Sequence, residues 1–158
     1  MKYCVSTPNR GWKLKPNRTW DGKKGFLFRI RGKSDSDYAT CPTTRKSVSG
    51  YGVFLEGAPI TVKRLMQRII ALSVTEAETI SGVACVQEML YAMKILLSFG
   101  LLVELPMILE IDNKGAVDMA NNWSGQDQAH GCQVSLAQRA QRTRTCEGDL
   151  DEWRINRC

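Results

Sequence analysis

Apolar and polar positions alternate first at Phe26, Phe28 and Ile30, a period of two that predicts a strand. Ser34-Asp35-Ser36-Asp37 follows at the end of that strand. Thr40 to Lys46 reads as a loop, and Ser47 to Leu55 as a second strand. Glu56-Gly57-Ala58-Pro59 is a turn, and Ile60 to Lys63 a third strand. Short connections between consecutive strands predict an antiparallel meander. The period then lengthens. Ser73, with Glu76 three residues on, has the form of a capping box. Ile80, Val83, Ala84, Met89, Leu90, Met93, Leu96 and Leu97 follow at helical spacing, as a core face. Gly100 is placed to end the helix. Met107 to Ile111 is a short apolar run of the kind found in buried parallel strands, and it ends at Asp112. Asn113 to Ala120 predicts a turn and a short helix. The order βββαβα predicts an α/β fold with a mixed sheet, in which the strand ending at Asp112 lies beside the first.

The chain has 158 residues and a formal net charge of +6, the size of one domain. A hydrophobic fraction of 43% excludes wholesale disorder, and the charge is compatible with a polyanionic partner. The six cysteines include no C-x-x-C pair, so zinc and thioredoxin chemistry have no support. No signal peptide is readable behind Met1, and the run Ile95 to Val103 is far below the ~20 residues of a membrane span. An intracellular protein with reduced thiols and no membrane partner is the expectation.

Asp35, Glu76 and Asp112 are the candidate catalytic and metal-binding residues. Asp35 ends the first strand, Asp112 ends its expected neighbour, and Glu76 sits in the first turn of the long helix. Three carboxylates at one sheet end raise one another's pKa, a repulsion that bound Mg2+ relieves. Two such ions about 3.5–4 Å apart activate water and stabilise a leaving oxygen in phosphodiester cleavage. The alternative is that each acid is a cap or a solvated loop residue.

Five strings in order carry a resemblance: Ser34-Asp35-Ser36-Asp37-Tyr38-Ala39; Thr44 to Tyr51; Phe54 to Ile60; Ala71-Leu72-Ser73-Val74-Thr75-Glu76-Ala77-Glu78; and Asp112-Asn113-Lys114-Gly115-Ala116. From about Gly11 to Ser124 the chain resembles the ribonuclease H domain that closes the Pol polyprotein of copia-type (Ty1/copia) retrotransposons. The resemblance implies a ribonuclease-H-like fold and two-metal hydrolysis of the RNA strand of an RNA–DNA hybrid. It implies two Mg2+ ions, aligns Asp35, Glu76 and Asp112 with three of the family's four metal-binding acids, and gives a reverse transcriptase domain as a partner in the same polyprotein. Asp37 is left as a turn or supporting residue. Arg45, Lys46, Ser73, Thr75 and Asn113 are candidates for nucleic-acid contacts. The basic residues Arg29, Arg31, Lys33, Lys63, Arg64 and Arg68 either track a backbone or form a solvated surface. Trp12, Trp20 and Trp123 read as packing residues. The rival readings are a non-enzymatic remnant that binds nucleic acid and an integrase-type core of the same fold. Thr-Glu-Ala-Glu at the helix start and Asp-Asn-Lys-Gly after the last strand favour ribonuclease H.

The likeness stops after Asn121-Asn122-Trp123-Ser124, where the family carries a basic, His-containing segment and its fourth acid. Composition breaks there too: residues 1–124 hold ten Lys and two Gln, whereas residues 125–158 hold no Lys and five Gln. The expected organisation is therefore a loosely ordered segment 1–20, a partial ribonuclease-H-like domain 21–124 and an out-of-frame, disordered tail 125–158. His130 then has no catalytic role. Back-translating Gly125 to Val134 and dropping the first base leaves nine codons that permit Asp-Arg-Thr-Arg-His-Met-Asp-Val-Arg, the missing segment with its acid. Sequencing the gene is expected to read that string in the neighbouring frame; codons that spell anything else rule out the frameshift.

Overall fold

The computed structural model describes residues 14–123 and 134–138. Strands β1 (Leu27–Phe28), β2 (Ile30–Asp37), β3 (Val48–Leu55) and β4 (Ala58–Met66) come first. Helix α1 (Val74–Ser98), β5 (Leu102–Val103), β6 (Met107–Ile111), helix α2 (Lys114–Trp123) and β7 (Val134–Gln138) follow. The main sheet has the order β4-β3-β2-β6-β7. β2, β3 and β4 form the antiparallel meander, while β6 runs parallel to β2 with Ser34 opposite Ile111. The mixed α/β sheet expected from the pattern is present and is compatible with a ribonuclease-H-like fold.

Several local expectations shift. The first strand breaks at Arg29, and its short leading part pairs in parallel with β5. Asp35 lies inside β2 and not at its end, because Ser36 and Asp37 stay paired with Ser49 and Val48. Glu56 and Gly57 alone make the β3–β4 turn, with φ of 51° and 85°, the left-handed pair that matches strand twist in a two-residue hairpin. Buried Glu56 accepts from Nε and Nη2 of Arg18, at 2.7 and 2.6 Å, and from Arg29 N at 2.7 Å. The Arg18 guanidinium holds the Glu56 carboxyl below its usual range. Asn17 N also donates to Glu56 O, so this part of the expected loose segment is tied to the hairpin. Residues 1–13 lie outside the described residues. Trp20, 43% exposed, meets Phe28 edge-on.

Helix α1 starts and stops as its sequence predicts. Ser73 Oγ accepts from Glu76 N at 3.1 Å, and Glu76 reaches back to accept from Leu72 N at 2.7 Å. At the other end Gly100 has φ of 72°, with Gly100 N on Leu97 O and Leu101 N on Leu96 O, the paired bonds of a Schellman cap. Its buried face is the expected one only in part: Met89 is buried and Ala84, Leu90, Met93 and Leu96 pack against the core. Ala77, Glu78, Ser81, Gly82, Cys85 and Met89 are buried, whereas Val83 and Leu97 are about half exposed. Small residues let the helix lie close on β2, where Gly32 faces Cys85 and Met89. By length and composition α1 is apolar enough to cross a membrane, but this stripe packs on the sheet. Around the stripe, Ile30, Tyr51, Val53, Met107, Leu109, Ile111, Ala116 and Val117 complete the core.

Within residues 125–158 one element is described. Val134–Gln138 pairs in parallel with β6, Val134 opposite Met107. Val134, Leu136 and Gln138 alternate with Ser135 and Ala137, and β6 offers an edge of unpaired backbone groups to such a segment. The rest of the tail, including His130, lies outside the described residues, as does Trp12.

A Cβ on Gly32 would lie 2.5 Å from Met89 Sδ, 2.8 Å from Cys85 Sγ and 2.9 Å from Leu109 Cδ1. Gly32→Ala is therefore expected to destabilise the chain by about 1–3 kcal/mol through overpacking, read from urea unfolding midpoints.

Candidate metal centre

Three carboxylates meet at the end of the sheet where β2 and β6 lie side by side. They are Asp35 on β2, Glu78 on α1 and Asp112 immediately after β6, and one oxygen of each lies within 4.8 Å of the others. Asp35 and Asp112 are brought together as expected, through the parallel β2–β6 pairing. Glu76 is not in the group. Its carboxylate is engaged with Leu72 N at the helix start, the capping role weighed as its alternative. Glu78, two residues on, is turned about 200° round the helix onto the buried stripe. The sequence contained that signal: Glu78 heads the series Gly82, Cys85, Met89 at helical spacing. An acid leading a row of small residues was harder to see than an acid completing a capping box.

The approach of α1 is secured at several points. Ser81 Oγ donates to Asp35 O at 2.9 Å. Gly82 packs where a Cβ would meet Ile111 Cδ1 at 3.1 Å. Gln67 Nε2 donates to Ser49 Oγ and to Ala77 O, each at 2.9 Å, fastening the segment before α1 to the start of the helix.

The three acids differ in exposure. Asp112 is exposed, Asp35 half-buried and Glu78 3% exposed. Glu78 Oε1 accepts from Ser36 N at 3.0 Å and from Ser36 Oγ at 2.8 Å. Glu78 Oε2 is buried with no hydrogen-bond partner. Burial pushes the Glu78 carboxyl up to about 7; the Ser36 hydroxyl opposes the rise, and the charges of Asp112 and Asp35 add to it. Three carboxylates so grouped, one of them with a buried unpartnered oxygen, are a set of hard oxygen donors, which suits a divalent cation such as Mg2+.

The other candidate residues surround this end of the fold. Ser73 caps α1. Thr75 packs at the start of α2, where a Cβ on Gly115 would meet its Oγ1 at 3.1 Å. Asn113 caps α2, its Oδ1 accepting from Ala116 N at 3.0 Å. Arg45 is exposed in the β2–β3 loop with φ of 57°, and Lys46 O accepts from Cys41 N. Asp37 faces Arg64 at 3.6 Å. Arg29 pairs with Glu104, Lys33 with Glu110 and Lys63 with Glu88, so much of the basic charge is met by acids within the fold.

Over 122 residues, 77% of this chain, the sequence is 30% identical to the retrovirus-related Pol polyprotein from transposon RE1 of Arabidopsis thaliana. It is 31% identical over 93 residues to that from transposon TNT 1-94 of Nicotiana tabacum, and 29% identical over 122 residues to that from transposon RE2 of Arabidopsis thaliana. The chain is similar to a segment of transposon Pol polyproteins. It spans only 7–8% of the length of these relatives. No protein-family model matches the chain, and no solved structure matches it.

The raised Glu78 value sets a pH dependence. A carboxyl whose folded pKa lies above its ordinary 4.5 contributes stability that is complete below about 4.5 and is lost as pH rises through about 7. Without divalent ions, Glu78→Gln is expected to gain stability relative to the native chain between pH 5 and pH 8, on the order of 3 kcal/mol in all. Thermal unfolding in EDTA across that range checks it; parallel curves for the two proteins would contradict it.

Proposed function

We propose that the chain is a ribonuclease H domain from a copia-type Pol polyprotein, with Asp35, Glu78 and Asp112 as its metal-binding acids. The observation that carries this reading is Glu78, buried, with Oε2 unpartnered among the described residues and one carboxylate oxygen grouped with those of Asp35 and Asp112 from two other elements. Similarity to transposon Pol polyproteins supports it independently, as does the mixed sheet. The substrate on this reading is the RNA strand of an RNA–DNA hybrid, chosen by backbone shape and the ribose 2′-OH and not by base edges. The natural neighbour is the reverse transcriptase domain of the same polyprotein.

The residues fit Mg2+, which when bound supplies Lewis-acid activation of water and stabilisation of a leaving oxygen. Glu78 presents a carboxylate oxygen from the protein interior, and Asp35 carries its carboxylate from the central strand. Asp112 lies at the exposed side, where a phosphodiester backbone can approach. Arg45, exposed in the β2–β3 loop, is the basic group we assign to that backbone. The fourth acid of the resembled family is missing from the sequence after Ser124, so ion binding is weak and turnover impaired.

Incubation of the chain with a labelled RNA–DNA hybrid and Mg2+ tests the reading. Weak, saturable Mg2+ binding is expected, lost in Glu78→Gln and kept in Glu76→Gln, with RNA cleavage near background. Rapid Mg2+-dependent turnover would overturn the impairment. Mg2+ binding that responds to Glu76 and not to Glu78 would overturn the ligand assignment. Salt-sensitive hybrid binding with no Mg2+ binding would favour a non-enzymatic remnant instead.

A further inference from the structure

We infer that Ser36 is a positioning residue for the metal centre, holding the Glu78 carboxylate in one orientation beside Asp35 through two hydrogen bonds to Oε1; this rests on the metal-binding reading above. Ser36 lies between Asp35 and Asp37 on β2. By alternation its side chain shares the α1 face of the sheet with Gly32 and Ser34, whereas Asp35 starts from the opposite face. The Ser36 hydroxyl therefore reaches Glu78, and the main chain links the two acids across the sheet.

Both donors of Ser36 fall on the same oxygen. Ser36 N lies 3.0 Å and Ser36 Oγ 2.8 Å from Glu78 Oε1, and Oε2 receives neither. Ser36 N also lies 2.9 Å from Asp35 Oδ1, so one N–H is shared by two of the three acids. A carboxylate held by two donors on one oxygen cannot rotate to exchange its oxygens without breaking both bonds. In a pocket where Glu78 is 3% exposed, water cannot replace them readily. The hydroxyl thus fixes the carboxylate's orientation, with Oε1 on Ser36 and Oε2 left without a partner among the described residues. Hydrogen bonds that orient a ligand in this way commonly govern metal affinity by about 10–100-fold.

The test uses Mn2+ as the probe, added to the full chain and followed by loss of the free-ion paramagnetic resonance signal. Ser36→Ala keeps the shared N–H and removes the hydroxyl; it is expected to weaken Mn2+ binding by about tenfold. Ser36→Thr keeps a hydroxyl on a strand-compatible residue and is expected to retain affinity. Ser36→Cys, similar in size but a weak donor, should behave like the alanine variant and serves if Ser36→Ala does not fold. Circular dichroism melting confirms that the compared proteins are folded. Equal Mn2+ affinity in native and hydroxyl-free chains would overturn the role of Ser36 while leaving the metal centre intact. Loss of affinity in Ser36→Thr equal to that in Ser36→Ala would also overturn it. A native chain that binds no Mn2+ would remove both the centre and the inference.

Discussion

The distance between α1 and β2 is the constraint on which the site depends. A Cβ on Gly32 of the strand would run into Met89 and Cys85 of the helix, and one on Gly82 of the helix would press on Ile111 of β6, so neither position has room for a larger side chain. The helix is therefore seated deeply enough for Glu78 to be buried one turn above the same contact. Cys85 fits this role as a small, inert thiol. Its pKa is pushed up to about 12 by burial, and it makes long contacts to Lys33 O and Gly52 O. Packing at one layer thus sets the electrostatics of the next.

Burial of a carboxylate without full hydrogen bonding opposes folding, and the fold concentrates that opposition at a single point. Glu78 has one satisfied and one unsatisfied oxygen, and two further acids stand within reach. Protonation or a cation can relieve it. Glu56 shows the contrasting solution: an equally buried acid, neutralised by Arg18 and the Arg29 amide, with its pKa lowered. The two residues are a neutralised and an uncompensated form of the same buried chemical group.

Much of the architecture was legible in the sequence because it rests on period and punctuation. The meander, the Ser73 cap, the Gly100 stop and the strand ending at Asp112 all follow from local chemistry. The buried face of α1 was legible only in part, because hydrophobicity pointed to Val83 and Leu97 as well as Met89, while close packing selected Ser81 and Gly82. The grouping of Glu78 with Asp35 and Asp112 was hidden for the same reason: Glu76 satisfies the local rule for a helix start, and the contacts of Glu78 are tertiary. Pairing of Val134–Gln138 with β6 likewise depends on a neighbour far away in sequence and has only a short alternation to announce it.

Asp112 and Asn113 divide one tight corner between two duties. The first faces the acidic cluster, and the second closes the opening turn of α2 through Ala116 N. No spare link separates them. Lengthening or shortening the chain by a single unit at this corner would take the carboxylate out of place and leave the following helix without its cap, so the connection tolerates exchange of residues far better than changes in their number.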